Sequence, residues 1–458
     1  MKTQSNIEKR DLTSGSVFQT LIVFSLPFML STLLQTLYSM VDMMAVGNFV
    51  GKEGLSAVAT GGQLMELITV FCVGFSTAGQ IIISQHMGAH QEAKVCRISG
   101  TLCTILAGLA LFLTAVGILG ADVFLKILNI PPEAAGHAHT YVTICSLGIL
   151  FTGFYNMIAA VFRGMGDSRH PLIFIAIASV INILLDLFFI GVLKWQVAGA
   201  AAATVIGQAS SVICSVIFLY QHQKEFYFSF QLQNFKPDRR MAKLLLSLGI
   251  PLGLQSSAVQ ISFLFVNSMI NGLGVSVSAV FGAGQKLRNI PGIMTQAIGL
   301  GATAMIGQSF GAGLTDRVSK IYKSGCMVNA AIGTVITVVF FLFPEASFRL
   351  FTADKGVLEY APVFMFTLLI EIPAKIFMPS GSALISGVGN TRLSMTLALC
   401  DAFAGRIFLT WLFGNKLGLG AFGCFLGYTL ATYVTAVPQV VYYLAGTWKG
   451  RKRLIAES

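Results

Sequence analysis

Long runs of apolar residues alternate along the chain with short polar stretches, and the spacing is that of membrane crossings. Twelve runs are read at about 17–46, 54–80, 96–120, 138–162, 171–193, 197–220, 244–271, 276–306, 321–343, 359–385, 393–414 and 418–446. Each is close to or above the ~20 residues that cross a bilayer as a helix. The ~10-residue alternating segments of a transmembrane barrel do not occur. The pattern predicts an all-α polytopic membrane protein with twelve transmembrane helices. The first ten residues are polar, and no small-residue cleavage site follows them. The first apolar run is too long for a signal-peptide core, so it is read as a retained helix.

The pattern also repeats. Gln85-His86-Met87-Gly88-Ala89 matches Gln308-Ser309-Phe310-Gly311-Ala312, and the segment from Arg163 to Arg169 matches that from Ser386 to Arg392, both at an offset of 223 residues. Pro27 and Pro251 hold equivalent places inside the first run of each half. Two pseudo-symmetric six-helix lobes follow: 1–220, then a polar cytoplasmic linker at 221–243, then 244–448, then a basic tail at 449–458. Six spans per half give both repeats the same orientation, with the substrate path expected between the lobes. The prolines are candidate hinges, because a missing N–H and a steric clash bend a helix; a static kink is the other reading. The repeated GxG[DN][ST]R segments predict tight cytoplasmic reversals rather than ligand sites.

Composition agrees with this picture: 55% apolar residues and 11% charged. A formal charge of +11 would suggest nucleic acid in a soluble chain. Here most of the Lys and Arg residues fall in alternate segments, and the opposite loops hold only Lys52, Lys126, Lys194, Arg349, Lys355 and Lys416. The asymmetry puts both termini in the cytoplasm, so the charge reports topology and no nucleic-acid partner is expected. The 8 cysteines are scattered singly, as core fillers rather than a disulfide or zinc framework.

Against that apolar background Asp42 stands out, since an intramembrane acid is a functional-site hypothesis by default. Gln35, Tyr38 and Asp42 share a helix face at i, i+3 and i+7. Asp186 is the second such acid, with Asn182 one turn before it. From a rise of ~1.5 Å per residue, Asp42 lies roughly 7–8 Å, Asp186 roughly 10 Å and Thr204 roughly 12 Å from the outer ends of their spans. Asn156 is deeper by the same measure. Two carboxylates in a poorly hydrated site cannot both ionise cheaply, so a proton or a hard monovalent cation must neutralise the pair. The alternative is that a neighbouring helix merely satisfies each polar group, and for Asn156 and Thr204 both readings stay open.

The second half does not repeat these acids: Asp42 maps near Val266 and Asp186 onto Leu409. It carries instead Glu371 and Lys375 at i, i+4, Asp401 near Arg406, and Lys286 and Arg288. With Glu66, these either line a substrate cavity or neutralise one another. No GxxxxGK[ST] phosphate loop is present. His86 and His90 lack the glutamate of HExxH, so no metal site is read there. The chain is not expected to be an enzyme or to hold a cofactor other than its coupling ion.

These residues resemble the multidrug and toxic compound extrusion (MATE) transporters, most closely their bacterial DinF-like branch, over nearly the whole chain. Residues 41–47 resemble the family's first-helix acidic motif, with Asp42 as the protonatable carboxylate. Residues 182–186 resemble its Asn-xxx-Asp motif, giving Asn182 and Asp186. The resemblance implies a cation site at Asp42, Asn182, Asp186, Thr204 and Asn156, with Na+ held by the first four or H+ held by Asp42. It makes Gln35, Tyr38 and Pro27 cavity and hinge residues. It implies a plasma-membrane antiporter that exports cationic or amphipathic small molecules in exchange for H+ or Na+ by alternating access, and a monomer is expected. One departure stands: after Pro251 the chain offers Gln255 and Gln260 where the NorM branch carries an acid, so coupling should rest on the first lobe. A flippase for lipid-linked saccharides is the rival reading. It requires a strongly cationic cavity, for which Lys286, Arg288, Lys375 and Arg406 are the candidates.

Overall fold

The structure is a computed structural model that describes residues 11–128, 130–349 and 355–456, and no strand occurs among the described residues. In chain order the helices are α1 (Val17–Phe49), α2 (Lys52–Gly88), α3 (Val95–Ile127), α4 (Pro132–Leu147), α5 (Ile149–Gly164), α6 (Arg169–Asp186) and α7 (Gln196–Gln221). There follow α8 (Arg239–Asn271), α9 (Val275–Gly311), α10 (Thr315–Leu342), α11 (Pro344–Arg349), α12 (Lys355–Gly387), α13 (Thr391–Leu399), α14 (Phe408–Trp411) and α15 (Gly420–Ala445). Among the described residues eleven helical segments are long and apolar enough to cross a membrane, and α4 with α5 makes a twelfth as one broken span. That pair is the span read at 138–162, bent by 46° at Gly148. Several helices overrun their apolar runs: α2 continues eight residues past the run read at 54–80. Polar ends such as Gln85 and His86 remain helical because the backbone bonds along the helix do not depend on side-chain hydropathy.

Packing divides the chain into two units. One is built on Leu30–Gly253, with the stretches around Leu12 and Leu454 assigned to it; the other is built on Thr13–Met29 and Leu254–Arg453. The boundaries fall inside α1 and α8, just after Pro27 and Pro251, and not in the polar segment 221–243. Both prolines are buried. The first half of α8 joins the first unit because Leu244, Leu245, Leu248 and Leu252 enter its core beside Leu102, Val161 and Phe162. The core of the second unit gathers Phe281, Phe348, Phe364 and Phe425.

The segment 221–243 is docked rather than slack. Phe226 and Phe228 are buried in the first unit's core. The Thr104 hydroxyl donates to Phe235 O at 2.6 Å, and Arg97 pairs with Asp238 at 2.7 Å. Asp238 opens α8 by accepting the N–H groups of Arg240 (2.9 Å) and Met241 (3.0 Å), as an N-terminal capping carboxylate does. The N–H of Met241 chiefly, joined by that of Arg240 and the charge of Arg97, outweighs the opposing effect of burial and holds the Asp238 carboxyl below the usual carboxylate range.

The repeated turns form as the pattern predicts. Gly166 and Gly389 take left-handed backbone angles, φ +89° and +79°, which only glycine adopts without strain. Asp167 then accepts the N–H groups of Arg169 (2.9 Å) and His170 (3.2 Å) at the start of α6. The polar residues of the turn are thus occupied by the chain itself.

One feature has no signature in the hydrophobic pattern. A π-helical stretch, Leu187–Val192, follows α6 directly after Asp186, and α13 and α14 are joined and followed by two more, Cys400–Ile407 and Leu412–Lys416. Wide π turns inside helices tend to mark functional sites, and here they begin beside Asp186 and enclose Asp401 and Arg406.

Candidate functional site

In the first unit, α1 supplies Asp42, α6 supplies Asn182 and Asp186, and α7 supplies Thr204. Burial is nearly complete for the first three: Asp42 is 6% exposed, Asn182 3% and Asp186 0%. Asp186 lies within the electrostatic reach of Asp42. Asn182 Nδ2 donates to Thr204 Oγ1 at 3.5 Å, tying α6 to α7. Gly207 permits that approach, since a Cβ there would lie 3.2 Å from Asn182 Cβ and 3.1 Å from Ala178 O.

The oxygens left over define what the site can do. Among the described residues, Asp42 Oδ1, Asn182 Oδ1 and both carboxylate oxygens of Asp186 are buried and meet no hydrogen-bond donor. No Lys, Arg or His makes an ion pair with Asp42 or Asp186 among the described residues; the seven pairs found involve other groups. A buried acceptor without a donor costs about 1–3 kcal/mol, more when charged, and an unpaired buried charge costs several kcal/mol. A structure that keeps four such oxygens in one place suits a mobile proton or a small hard cation. Hard monovalent and divalent cations favour this all-oxygen set. Zinc, which takes Cys and His ligands in most sites, is less suited to it.

Other expected members are placed differently. Asn156 is half-buried on α5, and its Nδ2 donates to Thr152 O at 2.9 Å in its own helix. Thr152 in turn bonds Gln208 on α7. Asn156 therefore belongs to a neighbouring α5–α7 contact. Tyr38 is half-buried on the Asp42 face and lies near that carboxylate. Gln35 is half-buried and Glu66 is exposed. Tyr141 and Cys145 on α4 also lie close to Asp42. They escaped the sequence reading because both are ordinary apolar-core residue types; their i, i+4 spacing was the available signal.

The second unit holds a charged cluster of a different kind. Arg288 on α9 pairs with Glu371 on α12, and Lys375 reaches the same oxygen, Glu371 Oε1, at 3.4 Å. Arg406 pairs with Asp401 at 3.0 Å. The guanidiniums of Arg288 and Arg406 lie over the Tyr428 ring, 4.5 and 5.5 Å from its centre, where the ring face attracts cations. Lys286 is exposed. The cations that a diphosphate-binding cavity would need are thus mostly taken up by carboxylates, which disfavours the flippase reading. Gln255 and Gln260 stand half-buried after Pro251, on the part of α8 that belongs to this unit.

The family model described as MatE matches residues 27–188 and again 251–412, the two halves of the internal repeat. The chain is 29% identical over 444 residues to a probable multidrug resistance protein, YpnP, of Bacillus subtilis (strain 168), covering 96% of this chain and 98% of that one. It is 25% identical to a second such protein of the same organism, YoeA, over 98% of each chain. Among solved structures, a multidrug resistance MATE family transporter of the MOP superfamily in an outward-facing conformation matches with a TM-score of 0.89. That match is at 21% identity and covers 99% of this chain and all of the other.

Proposed function

This chain belongs to the MatE family of membrane transporters, which are not enzymes, and we propose that it exports cationic or amphipathic compounds in exchange for H+ or Na+. The observation that carries the reading is the group of buried, donorless oxygens on Asp42, Asp186 and Asn182. Such a group changes its charge when it gains a proton or a cation, and burial makes that change energetically large. The relatives named for multidrug resistance support the substrate class.

In this reading Asp42 is the ion-responsive carboxylate, and Asn182, Asp186 and Thr204 complete the site. With an ion bound, the site is neutral enough to close around; without it, the uncompensated charge favours hydration. An ion shifts the balance of two conformations only through its different affinity for each. Pro27 in α1 is the candidate hinge, because the helix passes from one packing unit to the other just beyond it. The equivalent place in α8 has Pro251. The membrane is the plasma membrane of a bacterium, with both termini cytoplasmic, as the distribution of Lys and Arg supports.

Dye efflux in an exporter-deficient host tests the reading, with wild type compared against Asp42→Asn. Energised efflux of ethidium by the wild type and its loss in the variant are expected. Equal efflux from both strains removes Asp42 from the coupling role. Everted vesicles given either a pH gradient alone or a Na+ gradient alone identify the ion.

A further inference from the structure

The charged cluster of the second unit shares no residue with the Asp42 site, and its charges do not cancel. Three cations, Arg288, Lys375 and Arg406, face two carboxylates, Glu371 and Asp401. Arg288 and Lys375 share a single acceptor, Glu371 Oε1, and the Lys375 contact is the long one at 3.4 Å. An ammonium carries three donors and a guanidinium five, so this corner has more donors than Glu371 can accept. Lys375, whose side chain keeps 35% of its exposure, carries the surplus donors, and an anion beside it would meet them.

A cavity of about 60 Å³ lies at the same corner, between α9, α10 and α12. Arg288, Glu371 and Lys375 bound it with Thr295, Asn329 and an apolar wall that includes Phe340. The donors of the two neutral polar groups are committed elsewhere, while Asn329 Oδ1 is buried and meets no donor. Thr295 Oγ1 donates to Pro291 O at 3.1 Å, and Asn329 Nδ2 donates to Ile376 O at 3.2 Å and Ser380 Oγ at 3.4 Å. Arg288 and Lys375 are therefore the donors left facing the space. It has room for several water molecules, and so for a carboxylate.

We propose that this cavity binds the carboxylate of a zwitterionic or anionic amphiphile between Lys375 and Arg288, so that the protein selects for acids as well as cations. The proposal rests on the export reading for its biological use, but binding can be measured without transport. One surplus positive charge matches one carboxylate and is too few for a diphosphate. The apolar wall suits the hydrocarbon or ring that carries the acid.

Rhodamine 110 has a free carboxylate, and rhodamine 123 is its methyl ester. Fluorescence anisotropy of each dye with the purified full-length protein in detergent gives the ratio of their affinities. The wild type is expected to favour the acid by about tenfold or more, the scale of a hydrogen bond to a charged group. Lys375→Gln should bring the ratio close to one, and Lys375→Arg should retain most of it. Glu371 keeps Arg288 as its partner in both variants, so the fold is not put at risk. A wild type without preference for the acid, or a preference unchanged in Lys375→Gln, overturns the proposal. Selective binding with no movement of either dye in proteoliposomes would instead refute the export reading and leave the site standing.

Discussion

The substitution Asp42→Asn isolates ion coupling from folding better than any other change in this chain. The new amide has nearly the shape of the carboxylate and keeps one acceptor, but it neither gains a proton nor carries a charge. No Lys or Arg is stranded by it, since Asp42 makes no ion pair among the described residues. Its Oδ1 meets no donor either, so no hydrogen bond to that atom is lost. Stability should therefore stay within about 1 kcal/mol of wild type, the range of substitutions that neither strand a partner nor open a cavity. Coupling is a different matter. One proton moving down a gradient of one pH unit releases about 1.4 kcal/mol. If one monovalent cation leaves for each proton that enters, the exchange moves no net charge and the membrane potential drops out. The substrate ratio sustained at the limit is then ~10-fold per pH unit by that same conversion. The assay is accumulation of ethidium in proteoliposomes against an imposed gradient of about one pH unit, or a tenfold Na+ gradient at equal pH. Wild type should approach tenfold under whichever ion drives it, and Asp42→Asn should stay near the passive ratio. Thermal unfolding of both proteins in detergent checks that the variant is folded. Accumulation by Asp42→Asn equal to that of wild type would refute the assignment, and with it the argument from unpartnered buried oxygens.

Other substitutions probe the elements around the two clusters. Gly207→Ala places a methyl 3.1 Å from Ala178 O and 3.2 Å from Asn182 Cβ; crowding of this kind costs about 1–3 kcal/mol. Ion-dependent thermal stabilisation should weaken with it, and an unchanged response to the coupling ion would show that the α6–α7 spacing does not shape the site. Arg406→Met leaves Asp401, 1% exposed, without its cation, and removing one partner of such a pair costs about 3–5 kcal/mol. The double change Asp401→Asn with Arg406→Met should recover most of that loss in a thermal melt, and no recovery would mean that the pair is not the cause. Asp238→Ala removes the acceptor that opens α8 and should cost about 1 kcal/mol, read as faster hydrogen exchange over the first turn of α8. Because the folded protein holds the Asp238 carboxyl below its ordinary value, its contribution is present above the ordinary carboxylate value of about 3.9. It is lost as pH falls through the depressed folded value. The stability difference between Asp238→Ala and wild type should accordingly vanish at strongly acidic pH.

Much of the first site was legible because the bilayer makes polar residues conspicuous. Asp42, Asn182, Asp186 and Thr204 were singled out by residue type against apolar runs, and helical spacing put Asn182 and Asp186 on one face. The same contrast exposed Glu371, Lys375, Asp401 and Arg406, and their pairings follow from i, i+4 and near spacing. Tyr141 and Cys145 were invisible for the converse reason: neither is out of place in a core. The role of Arg288 as a partner of Glu371 was also hidden, because the two are 83 residues apart and only the packing of α9 on α12 brings them together. The docked state of segment 221–243 was hidden because its composition is polar, while Phe226 and Phe228 do the packing.

What the sequence determined alone is the membrane class, the count of crossings, the doubled scaffold and the unequal placing of its acids. Hydropathy over ~20 residues is a local property and needs no tertiary information. The structure alone decided which oxygens stay without donors, which cations exceed their carboxylates, and where α1 and α8 leave one packing unit for the other. Each of these depends on what lies opposite a residue across a helix interface. That is set by the crossing of helices distant in sequence, and in the span that carries Asp186 by a π-helical turn that no residue pattern announces. Asp42 was conspicuous in the chain; that its Oδ1 meets no donor and that it makes no ion pair among the described residues was decided only by the fold.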